Sequence, residues 1–225
     1  MVTIFCHLIM SDSLPTASEV AALHDDLLGA AGWPDDPPAP APATWAWIAA
    51  NHRFNSQLWA EEDLARRTTV AAAEIAANKR AIDGFNQARN DATERVDELL
   101  LIALGLVDEA SARSDAPLST VAPGARLNSE TAGSIIDRMS IMALKVHAMR
   151  QQTERADVDA AHIEVSRIKL ARLQQQRADL GGCLDALLAD CRAGLAYFKV
   201  YRQFKMYNDA RFNPSLVAES RGTAA

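Results

Sequence analysis

The first 50 residues contain no lysine and no arginine. They carry six acids: Asp12, Glu19, Asp25, Asp26, Asp35 and Asp36. All 23 Lys and Arg residues follow, balanced by an equal number of acids, so the body of the chain is neutral. A neutral body excludes a general nucleic-acid binder, which needs a basic face. The opening MVTIFCHLIM is apolar but has no basic residue ahead of it. It makes a poor signal peptide, and a cytoplasmic protein is expected. No apolar run approaches the length of a membrane span. The three cysteines, Cys6, Cys183 and Cys191, fall at no metal-binding spacing and are expected as reduced core residues. A Gly-rich phosphate loop, a Ser-His-Asp order and a Cys-His nucleophile signature are all lacking.

Proline is scarce where it matters most. Five of the nine prolines crowd into GWPDDPPAPAPA, residues 32–43, and none occurs between 43 and 116 or between 124 and 213. Long proline-free runs without apolar–polar alternation predict helices and no sheet. The expected fold is all-α, an antiparallel bundle of five to six long helices. An acidic, Pro-rich arm (1–43) with one short helix over 16–31 precedes a bundle domain (44–214), and a disordered tail (215–225) follows. Within the bundle the helices are expected near 44–67, 78–104, 129–155, 157–180 and 183–208. Asn128 or Ser129 would cap the third, Asp157 the fourth, and Gly181-Gly182 would break the chain before the fifth. The turn before 78 falls at 68–70 or 76–78. Residues 105–128 form a loop and a candidate lid. Trp45, Trp47 and Trp59 are expected to pin the first long helix, and Leu195 and Phe198 to be buried by the last. Met139, Met142, Met149 and the tryptophans suggest a homodimer through surplus apolar surface.

The most informative stretch is NKRAIDGFNQARNDATERVDELLLIA, residues 78–103. Lys79, Asp83, Asn86, Asn90, Glu94 and Asp97 recur at helical steps and fall within an arc of roughly 80°. Ile82, Phe85, Val96 and Leu100, with Arg89 among them, form an apolar shoulder. Arg80, Gln87, Asp91, Arg95 and Glu98 form the shoulder expected to face solvent. On the preceding helix Asn55, Trp59, Glu62 and Arg66 make a similar stripe. If the chain reverses between them, the two stripes face each other.

Glu62, Arg66, Lys79, Asp83, Asn90, Glu94 and Asp97 are therefore the candidate catalytic constellation. Their carboxylates could hold a divalent cation such as Mg, and their cations a phosphate. The same groups could equally pair across helices and fix register. Further candidate ligand-binding residues are Arg138, Lys145, His147, Lys199, Arg202 and Lys205. The last three lie in FKVYRQFKMY, where aromatics alternate with cations at helical spacing. A metal pair of His147 and His162 would need a carboxylate such as Asp137.

LWAEEDLARR, KRAIDGFNQARND, SETAGSIIDRMSIMALKVH and FKVYRQFKMYNDARFNP together resemble a bacterial family, the domain-of-unknown-function family numbered 4254. The resemblance runs over about residues 16–217. It implies a helical protein encoded near glycosyltransferases of lipopolysaccharide or exopolysaccharide assembly. An enzyme or ligand-binding accessory of that assembly follows, with a nucleotide-sugar or phosphate ligand. A non-catalytic scaffold for a glycosyltransferase is the other expectation. A second, partial likeness is to helical Mg-dependent nucleotide pyrophosphohydrolases. Glu94-x-x-Asp97 matches one half of their metal motif, and Glu61, Glu62 and Asp63 resemble the other. Ala65 stands where that motif wants an acid, leaving Glu62, Glu94 and Asp97 as the metal ligands.

Overall fold

The computed structural model describes residues 14–36, 41–203 and 209–222. Its helices are α1 (Ala17–Leu28), α2 (Ala43–Leu64), α3 (Ala72–Ala103), the one-turn α4 (Glu109–Ala112), α5 (Ala132–Thr153), α6 (Ala160–Arg192) and α7 (Pro214–Gly222). Two strands of two residues, β1 (Arg126–Leu127) and β2 (Ala196–Tyr197), pair in parallel. Among the described residues the protein is all-α apart from that single pairing.

The chain reverses over residues 65–71, and α2 and α3 lie against each other. Asn51, early in α2, donates to Thr93, late in α3, at 3.1 Å. Asn78, early in α3, donates to Glu61, late in α2, at 2.7 Å. These two helices therefore run antiparallel. α5 and α6 form the second hairpin, with Gln152 near the end of one against His162 near the start of the other. α5 is the centre of the fold, packing on α1, α2, α3 and α6. Accordingly Ile135, Ile136, Met139, Ser140, Ala143, Leu144 and Val146 are all buried. Met139 and Met142 lie inside a single chain, so they supply none of the surface on which the dimer expectation rests.

The helix ends differ from expectation for local reasons. Thr131 caps α5 by accepting from Ser134 N, and Asp159 caps α6 by accepting from His162 N. Asp157 instead pairs with Arg155 at 2.6 Å. Gly181-Gly182 does not break α6. Gly181 is where α1 comes closest, since a Cβ there would lie 3.0 Å from that of Ala17. The helix ends at Gly194, whose φ of 71° is the left-handed conformation that glycine adopts freely. Leu195 N donates to Asp190 O and Gly194 N to Cys191 O, the paired bonds of a Schellman stop. The chain to Gln203 is therefore extended, not helical. It buries Phe198 as expected but leaves Leu195 63% exposed.

Other expectations are redrawn in the same way. Trp45 is buried, whereas Trp47 and Trp59 are each 36% exposed. Cys191 is buried and free, and Cys183 is free but exposed. The 105–128 connector carries α4 and β1 and contributes Val107 and Ala112 to the core. Pro214, expected to end the ordered chain, opens α7.

Candidate functional site

The polar stripe of α3 divides into three parts. Lys79 and Asp83, near its start, are exposed, and among the described residues no ion pair reaches either. Asn86, in the middle, faces a groove, together with Arg89 of the apolar shoulder. Asn90, Glu94 and Asp97 lie inside the protein or at its edge.

The C-terminal part is a network of partners. Glu94 and Glu98 both accept from Arg202 Nη1, at 3.0 and 2.6 Å. Arg202 also donates to the carbonyls of Ala112 and Ser114, and Gln203 N donates to Glu94. Partial burial works against the Arg202 charge, yet its bonds to Glu98 and Glu94 hold its pKa above the ordinary value. Glu98 also pairs with Arg95 and is only 5% exposed. The shoulder expected to face solvent is thus covered here by the extended chain after β2. Asp97 is buried and accepts from Gly133 N at 2.6 Å. Burial pushes its pKa up to about 7, against the bonds from Thr131 and Gly133, and the neighbouring charges of Glu94 and Glu98 add to the rise.

The groove lies between α2, α3 and α5 and has a volume of about 400 Å³. Leu58, Ile141 and Leu144 give it apolar wall, and Trp59 stands at its rim. Asn55 and Glu62 line it from α2, Arg66 from the turn after it, and Asn86 and Arg89 from α3. The two stripes therefore do face each other, through their middle members. Beside the groove, in contact with its lining residue Asn55, Asp137 Oδ1 accepts from Asn51 Nδ2 and Asn55 Nδ2, each at 2.9 Å. Arg89 Nε lies 3.9 Å from the same oxygen, beyond hydrogen-bond distance. Among the described residues no hydrogen bond reaches Asp137 Oδ2.

Behind Asp137 the network continues inward. Asn55 donates to Ser140 Oγ at 3.0 Å, and Ser140 lies 2.8 Å from His52 Nδ1. Asn55 and His52 thus meet at the Ser140 hydroxyl, which can accept from the first and exchange a hydrogen bond with the second. His52 stacks on His24 at 4.4 Å between ring centroids and on Trp33 at 5.5 Å. Neither ring nitrogen of His24 has a partner. Burial drives both imidazoles toward the neutral form, with Arg177 nearby acting the same way; the pKa of His52 falls to about 3.

The remaining candidates do not gather. Glu62 and Arg66 pair with each other on the surface at 2.6 Å. Arg138 pairs with Glu130, Lys145 is exposed, and His147 contacts Gln151 at 3.0 Å. His162 turns to Gln152, so the two histidines do not converge. Lys199 lies 5.9 Å above the Tyr197 ring. Lys205 is outside the described residues.

Among the described residues no three His, Cys, Asp or Glu side chains are placed to hold a metal ion. Glu62, Glu94 and Asp97 are accordingly apart, the first on the groove and the other two committed to Arg202 and Gly133. They do not fit the magnesium shell of a pyrophosphohydrolase. Asn51, His52, Ser140 and Asp137 form the connected site instead. Their signal in the sequence was polar residues on otherwise apolar helix faces.

No curated protein and no solved structure is significantly similar to the chain. The family model described as a protein of unknown function (DUF4254) matches residues 45–200. That span is narrower than the expected 16–217, and it takes in α2 to β2 and every residue of the groove. The chain belongs to the DUF4254 family.

Proposed function

We propose that the protein is a ligand-binding or catalytic accessory of bacterial cell-envelope glycan assembly, acting in the cytoplasm through the groove between α2, α3 and α5. The observation that carries this reading is Asp137. Two amides from α2 fix one of its oxygens, and among the described residues the other accepts no hydrogen bond, beside an open groove lined by its neighbours Asn55 and Arg89. A carboxylate held by donors from a second helix is a preorganised binding group. Apolar wall, convergent polar groups and a rim tryptophan are what small-molecule sites combine. The envelope setting rests on the family resemblance, and the framework is read as an antiparallel bundle.

A second reading has one observation in its favour. Glu94, Asp97 and Glu98 satisfy partners within the protein, as groups that set register do. In that reading the molecule is a helical scaffold for a glycosyltransferase.

A melting experiment separates the two. Nucleotide sugars, neutral oligosaccharides, nucleoside triphosphates and divalent metals would each be added to the full chain. A ligand at a hundred times its Kd stabilises the fold by about 2.7 kcal/mol. The groove reading expects stabilisation by at least one sugar-bearing compound, abolished by Trp59→Ala. No response to any compound favours the scaffold.

A further inference from the structure

The charges of the groove narrow its ligand further. Arg66 is engaged twice by Glu62, through the side chain at 2.6 Å and the backbone carbonyl at 2.6 Å. Arg89 bonds Asn90 at 3.1 Å and faces Asp137. Each arginine thus already faces a carboxylate, and Asp63 joins Glu62 as a second acid in the lining. A phosphate needs uncommitted cations or a helix N-terminus, and the groove presents neither.

What it does present is a flat indole at the rim, apolar wall from Leu58 and Ile141, and hydrogen-bonding groups in and beside it. Asp137 Oδ2 accepts. Arg89 lines the groove with its charge offset by Asp137, and the exposed part of its guanidinium can donate. Asn86 can do both. A pyranose ring has the matching form, with an apolar C–H face and hydroxyls around its edge. An aromatic face receives the first, and a carboxylate–arginine pair receives two neighbouring hydroxyls.

We infer that the groove binds an uncharged hexopyranosyl unit, as at the end of an acceptor glycan, and not the nucleotide or phosphate part of a sugar donor. This rests on the groove being the site, as proposed above.

The test follows the Trp59 indole N–H by ¹⁵N NMR on the full chain. Methyl hexopyranosides, inorganic phosphate and uridine diphosphate are titrated separately. The expected result is a saturable shift with one or more hexopyranosides and none with phosphate or uridine diphosphate. Asp137→Asn should weaken that binding about tenfold or more, as loss of a charged hydrogen bond does. Trp59→Ala, at a position one-third exposed, keeps the fold intact and should abolish binding measured by calorimetry. A saturable shift with phosphate or uridine diphosphate overturns the ligand class while leaving the groove as the site. A Trp59 signal that no probe moves overturns both.

Discussion

Gly133 N–H of α5 donates to Asp97 Oδ1 of α3 at 2.6 Å, so the carboxylate of one helix caps the first turn of another. The contact leaves no room for a side chain: a Cβ on Gly133 would lie 2.6 Å from the carbonyl oxygen of Thr93. Backbone cannot swing aside as a side-chain tip can. Gly133→Ala should therefore cost about 3 kcal/mol by forcing α3 and α5 apart. In a fold of this size that is a fall of roughly 10 °C in Tm, measurable by calorimetry.

Asp97 predicts a pH dependence of opposite sign to that of an ordinary buried ion pair. Its folded pKa of about 7 lies well above the ordinary carboxylate value, so the folded state holds its proton longer than the unfolded chain does. Its contribution to stability is present below the unfolded value and is lost as pH rises toward 7, at up to about 1.4 kcal/mol per pH unit. Asp97→Asn keeps an oxygen for Gly133 N and removes this loss. The variant should gain on the wild type between pH 5 and pH 8 in denaturant titrations.

Glu94 predicts the contrary. Its two oxygens hold Arg202 and Gln203 N, and both members of the ion pair are less than one-fifth exposed. Glu94→Gln leaves Arg202 with Glu98 alone and should cost about 1–2 kcal/mol. Asp83→Asn, on the exposed part of the same stripe, should change stability by less than about 0.5 kcal/mol. Equal effects at the two positions would show that the division of the stripe is misdrawn.

The stacked pair His24–His52 should make the protein acid-sensitive. Both are held neutral by burial, and the folded pKa of His52 is near 3 against 6.5 unfolded. The unfolded chain takes up these protons first, so stability is full above about pH 6.5 and falls as pH drops toward 3. Each histidine contributes a slope of about 1.4 kcal/mol per unit. His52→Gln should flatten the fall in Tm between pH 6.5 and 4.5.

Much of this framework was legible before any coordinates. Proline-free runs and apolar periodicity place α2 and α5 to within about three residues and the end of α3 to within one, though α3 begins at Ala72, six residues before the expected 78. The steps of Asn55, Trp59, Glu62 and Arg66 predict a stripe that does line the groove. What was hidden depends on contacts distant in sequence. Arg202 reaches Glu94 across 108 positions, and nothing local says that the chain there is extended. Gly181 and Gly194 look alike as residues. One packs against Ala17 inside a helix, and the other takes a positive φ and ends it. Asn51, His52 and Ser140 have no evident partners in the sequence; these appear only when α5 is seen at the centre of the fold, where a buried polar side chain must find one.

The central claim, that Asp137 serves a ligand in the groove beside it, is tested most directly by Asp137→Asn. Asparagine keeps an oxygen to accept from Asn51 and Asn55 and gives up only a 3.9 Å approach to Arg89. Tm and glycoside binding would be measured side by side on the variant and the wild type. The account predicts a Tm within a few degrees of wild type and binding weakened about tenfold or more. A variant that binds as tightly as the wild type would contradict it.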